Sequence, residues 1–122
     1  MPMRGLTIII ADISSIRFRT ALSLAAAHAA LGGKARLFLS GEAVSIIRAP
    51  VSGWDDDEYA AIGQPDMATL YADALGAGVG FIICQTGMAL GNAEMSDFDP
   101  RIEAGGMVSL LATLGEDRLL TI

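Results

Sequence analysis

The sequence predicts an α/β fold, a three-layer sandwich with a mostly parallel five-stranded sheet and helices on both faces. Three observations carry this expectation. Short apolar runs rich in β-branched residues recur along the chain, and segments with helical patterning and capping residues separate them. Glycines punctuate the junctions. The 122 residues are expected to form a single domain spanning 1–122, long enough to bury a substantial core.

The elements follow in order. Gly5-Leu6-Thr7-Ile8-Ile9-Ile10-Ala11 is a continuous apolar run of the kind a fully buried strand shows. Asp12, Ser14 and Ser15 follow it and can cap the next helix, read from Ile16 to Leu31 and closed by Gly32-Gly33. Lys34 to Leu39 is the second strand, stopped by Ser40-Gly41, with a short helix near Glu42 to Ile47. From Ala49 to Pro65 the periodicity is lost, and this stretch reads as an irregular excursion, partly helical at most. Asp66 caps a helix from Met67 to Leu75, and Gly76-Ala77-Gly78 leads into the third strand, Val79 to Ile83, directly before Cys84. A short helix near Leu90 to Met95, a short strand at Ile102-Glu103-Ala104, a helix from Gly106 to Leu114 and a last strand from Asp117 to Ile122 complete the pattern.

Composition narrows the function classes. Apolar residues make up 52% of the chain and charged ones 18%, with a mean hydropathy of +0.50. No run reaches the roughly 18 apolar residues of a membrane span. The surplus is therefore assigned to a sheet covered on both faces and to a subunit interface. A net charge of −6 disfavours nucleic acid, whose phosphates it would repel. No basic, apolar leader is evident, so a cytoplasmic location is expected. One cysteine excludes an internal disulfide framework, and one histidine makes a protein-built metal site an unfavoured reading.

The strongest chemical candidate is Cys84. A thiol at the carboxyl end of a sheet strand, facing the N–H groups of a helix start, is where a sulfur nucleophile can be activated. In open parallel sheets ligands bind beyond the carboxyl ends of strands, near the switch in strand order. Three loops are expected to gather there. They bring Asp12, Ser14 and Ser15, then Ser40 and Gly41, then Gln85, Thr86 and Gly87 around Cys84 as candidate binding residues.

Competing readings are blander. A free cysteine often only fills space. Gly76, Gly78 and Gly80 precede a strand instead of joining a strand to a helix, so the dinucleotide fingerprint fails on context. His28 falls near Leu24 by helical spacing and reads as structural. The run Asp55 to Glu58 reads as solvated loop, with Trp54 beside it as a cover or contact surface. Met88, Met95 and Met107 read as core or interface filler.

Several segments agree in order and spacing with one known pattern. They are Ala21-Leu22-Ser23-Leu24-Ala25 leading to Leu31-Gly32, and Ala35-Arg36-Leu37-Phe38-Leu39 with Glu42-Ala43-Val44. Phe81-Ile82-Ile83-Cys84 with Gly87-Met88 continues it, followed by Ile102-Glu103-Ala104-Gly105-Gly106 and the terminal Asp117 to Ile122. Together they resemble the DsrE/DsrF-like family, which includes the TusD and YchN branches. The resemblance implies a five-stranded, mostly parallel sheet and assembly as a trimer or hexamer, or as a heteromer with a sister subunit. It implies that Cys84 accepts sulfur as a persulfide from a donor protein and passes it to an acceptor, with no metal or organic cofactor. The alternative is a non-catalytic oligomeric module of the same fold that binds a small ligand or a protein, with Cys84 structural. A redox sensor working through Cys84 is a third reading.

Overall fold

Five strands form, in the expected order. β1 (Leu6–Ile10), β2 (Ala35–Leu39), β3 (Gly80–Cys84), β4 (Glu103–Gly105) and β5 (Arg118–Thr121) make one sheet ordered β4-β3-β2-β1-β5. All four pairings are parallel. Helices α1 (Ser15–Ala30), α2 (Asp56–Ala61), α3 (Met67–Gly76), α4 (Gln85–Leu90) and α5 (Met107–Ala112) lie between them. The computed structural model describes residues 3–122. The chain steps outward from β1 to β4, then crosses back to set β5 against the other side of β1. The reversal of strand order therefore falls between β1 and β5, two strands away from Cys84.

Register decides which side chains share a face. Ile8 is aligned with Leu37, and Leu37 with Phe81, so these three point the same way and are fully buried. α1 and α3 pack on that face with Phe18, Leu22 and Tyr71, and the Tyr71 ring meets Phe81 edge-on at 5.2 Å. Each such large side chain stabilises the fold by roughly 2 kcal/mol through apolar burial. The opposite face carries Thr7, Ile9, Arg36, Phe38, Ile82 and Cys84, and α5 approaches it. The Leu110 carbonyl of α5 accepts a hydrogen bond from Arg36 at 3.0 Å. One short helix makes a thin layer, and Ile9 and Ile82 stay half-buried beneath it.

The caps form with one reassignment. Ser14 is the N-cap of α1 and accepts from the Arg17 N–H at 3.2 Å. Asp12 accepts from the Ser14 N–H at 3.0 Å and pairs with Arg17, while Ser15 is already helical and buried. His28 is half-buried with Nε2 2.9 Å from the Arg4 carbonyl oxygen, a structural tie to the segment before β1. Two expectations need correction. The helix after Cys84 runs over Gln85–Leu90, not Leu90 to Met95, because the Cys84 side chain caps it at once and Gly91 ends it. The acidic run is not simply solvated. Asp55 is buried, and Asp56 accepts from the Gly53 and Met67 N–H groups, each at 2.9 Å, and from Arg19 at 3.0 Å. Arg19 also donates to the Pro65 carbonyl at 2.8 Å and stacks 3.7 Å from the Tyr59 ring centre. This clasp fastens residues 53–67 to α1, a tertiary effect that local periodicity does not encode.

Candidate functional site at the carboxyl end of β3

Cys84 is the last residue of β3, and its side chain leaves the sheet on the face that α5 partly covers. Its backbone is extended (φ −79°, ψ 142°), which lets Sγ turn back and cap α4. Two backbone N–H groups donate to Sγ, from Gly41 at 3.0 Å and from Gly87 at 3.1 Å. Negative charge developing on the sulfur is stabilised by both donors. The loops after β2 and β3 therefore grip one sulfur atom between them.

Two glycines make that grip possible. Gly41 has a φ of +58°, in the left-handed region that side chains resist. Gly87 lies so close to the first loop that a Cβ there would collide with the Gly41 carbonyl oxygen. Backbone meets backbone at this point, and no larger residue fits.

The sulfur faces a cavity of about 370 Å³. Phe38, Ser40 and Gly41 line it from the β2 side, with Cys84, Gln85 and Thr86 from β3 and α4. Gly105, Gly106 and Met107 close the third side, after β4. Among the described residues no charged side chain lines this space. Cys84 is 8% exposed, so the cavity is the thiol's route to solvent and reactants. Among the described residues no cluster of three or more His, Cys, Asp or Glu is placed to hold a metal ion.

Of the candidates taken from sequence, Ser40, Gly41, Gln85 and Thr86 surround the thiol, and Gly87 holds it from behind. Asp12 and Ser14 are engaged in the cap of α1 and do not line this cavity. Ser15 lines a separate hollow beside Trp54. The loop after β1 lies two strands from β3, with β2 between them, and does not line the cavity that the sulfur faces. Sequence reasoning overlooked Phe38, Gly105, Gly106 and Met107 as lining residues. The pair Gly105-Gly106 directly after a strand was the available signal, because it marks a backbone that a ligand can approach closely.

An all-parallel sheet with one cysteine at the carboxyl end of an inner strand defines an α/β protein with a thiol site. Its relatives place it more closely. The model of the DsrE/DsrF-like family matches residues 6–122, and the chain belongs to that family. No curated protein sequence matches the chain. Among solved structures it is similar to the YchN protein from E. coli, with a TM-score of 0.74 and 21% identity over 98% of this chain and all of that one. It is likewise similar to MTH1491 from Methanobacterium thermoautotrophicum, described as a protein of unknown function. That match has a TM-score of 0.74 and 12% identity, over 98% of this chain and all of that one. At such identities the two likenesses establish the fold. Among the described residues no helix is long and apolar enough to cross a membrane.

Proposed function

We propose that this chain is a small cytoplasmic sulfur-relay protein that accepts sulfane sulfur on Cys84 and passes it on as a persulfide. The observation that carries this reading is the Cys84 sulfur held by two backbone N–H donors on the wall of an uncharged cavity. Family membership supports it. In the reaction the Cys84 thiolate attacks the terminal sulfur of a donor persulfide. A new bond forms between Sγ and that sulfur, and the donor's own sulfur–sulfur bond breaks, its electron pair leaving with the donor as a thiolate. Delivery repeats the step with an acceptor thiolate attacking the outer sulfur and Cys84 as the leaving group. Neither transfer changes the net oxidation state, so the exchange requires no metal and no organic cofactor.

The roles of the surrounding residues follow from position. Gly41 and Gly87 hold charge on the sulfur, and Ser40, Gln85 and Thr86 orient the incoming persulfide from the cavity rim. Donor and acceptor are proteins, and the chain works as a trimer or hexamer, or with a sister subunit. Support for assembly comes from apolar surface on α5 and β5, where Val108 is 85% exposed and Leu111 and Leu119 are also open.

The test is chemical. After treatment with polysulfide and desalting, cyanide should release about one equivalent of thiocyanate per chain from the parent protein. The Cys84→Ser variant should release none. Equal release from both would refute the proposal. The second reading, a binding module with a structural Cys84, is favoured by the burial of the thiol and its use as a helix cap. It requires that iodoacetamide reach Cys84 only after unfolding.

A further inference from the structure

We infer that the carboxyl-end surface beside the thiol is a docking groove for a protein partner whose apolar segment is flanked by lysine or arginine. The identity of that partner as a donor or acceptor rests on the sulfur-relay reading; the groove and its charge do not.

Two hollows make the groove. One, of about 340 Å³, lies between Trp54, Pro50 and the loop after β1. The other, of about 300 Å³, is lined by Glu42, Gly87 and Leu90. Both include Ile13 and Ser45, so they are continuous. Trp54 is 74% exposed, and Ile13 and Leu90 are also largely exposed, giving three large apolar side chains along one depression. The groove ends at Glu42 and Gly87, each within one or two residues of the segments that enclose the Cys84 cavity. A segment seated in it lies against the loops that grip the sulfur.

Charge selects the occupant. Five arginines are paired with aspartates: Arg17, Arg19, Arg36, Arg48 and Arg101. The remaining cations, Arg4, Lys34 and Arg118, lie at or just before the amino ends of β1, β2 and β5. The carboxyl ends carry acids outside those pairs. Glu42 lines the groove, Asp57 and Glu58 follow Trp54 in the first turn of α2, and Asp66 caps α3. The net charge of −6 is thus concentrated on the end that bears the thiol and the groove. A basic partner is attracted there, whereas a second copy meeting this face symmetrically would set like charge against like.

Trp54 is the only tryptophan in the chain and reports on the groove directly. The experiment titrates the protein with a short synthetic peptide of alternating leucine and lysine, and with its leucine–glutamate counterpart. The leucine–lysine peptide should blue-shift Trp54 emission saturably, and the acidic peptide should not. The combined Glu42→Gln, Asp57→Asn and Glu58→Gln variant should bind about tenfold more weakly, as should Ile13→Ser. Neutralising Asp73 and Glu116 on the opposite end should leave affinity unchanged. No emission change, equal response to both peptides, or equal weakening by both sets of charge changes would overturn the proposal. So would a dilution-dependent Trp54 shift without peptide, which would mark the face as a contact between copies. If the α2 changes disturb folding, Glu42→Gln alone should still weaken binding, and unchanged affinity in that variant would count against the groove. Cys84→Ser should bind peptide like the parent. Peptide binding without sulfur loading therefore sinks only the relay reading, and loading without peptide binding sinks only the groove.

Discussion

At the scale of single residues, the site depends on two contacts to one sulfur and on the absence of one Cβ. Gly87→Ala would force the loops after β2 and β3 apart, because backbone offers no flexible end to yield. The expected loss is about 2 kcal/mol, in the range of overpacked sites, measured by urea unfolding, and sulfur loading should fall with it. Tyr71 gives the opposite sign. Its hydroxyl is buried with no hydrogen-bond partner among the described residues, and burial pushes its pKa up to about 12. Tyr71→Phe should therefore leave stability unchanged or raise it by about 1 kcal/mol, with the edge contact to Phe81 retained. A loss of stability in that variant would mean that the hydroxyl has a partner. Cys84 was legible from sequence because an apolar strand ended on it. The two N–H donors were only half legible: the α4 donor is local, but the Gly41 donor comes from 43 positions away. Spacing along a chain does not reveal such a contact.

At the scale of elements, the strands were legible as short continuous apolar runs, and the long helices from the capping residues and glycines that bound them. The clasp around α2 was not, since Arg19 and Asp56 meet only when α1 and the excursion are folded together. Asp56→Ala leaves a nearly buried guanidinium without its carboxylate and frees two N–H donors. It should cost about 3 kcal/mol in chemical denaturation, against about 1 kcal/mol for Ser14→Ala at the cap of α1. Equal costs would contradict the clasp. Acid stability belongs to this scale as well. Hydrogen bonds from Arg101 hold the Asp99 carboxyl down at about 2. The Thr69 hydrogen bonds lower that of Asp66, and the Glu94 backbone bond with the nearby Arg48 lowers that of Asp97. Groups depressed in the folded state contribute fully above the ordinary carboxylate value near 4 and lose that contribution as pH falls toward their folded values. Thermal stability should drop between about pH 4 and pH 2, and less steeply in Asp99→Asn. An unaltered slope in that variant would mean that Asp99 carries none of the acid dependence.

At the scale of the whole molecule, the sheet was anticipated as mostly parallel with five strands, and all its pairings are parallel. The order was less legible, because a strand's partners depend on crossovers that local sequence does not spell out. Because β2 lies between β1 and β3, the β1 loop, with Asp12 and Ser14, stays clear of the thiol cavity although all strand ends point the same way. The thin layer over Ile9 and Ile82 and the open Val108 leave apolar surface exposed on that face. On the assembly proposed above, light scattering should show three or six copies, or association with a sister chain, and Val108→Asp should shift it toward smaller species. A monomeric parent at high concentration, alone and beside any sister chain, would contradict that assignment. The sulfur chemistry itself is read by intact mass. Native protein incubated with a sulfane-sulfur donor should gain about one sulfur atom per chain, lose it on reduction, and show no gain as Cys84→Ser. An unchanged mass, with a thiol that native alkylation cannot reach, would contradict the persulfide reading and leave Cys84 as a structural cap.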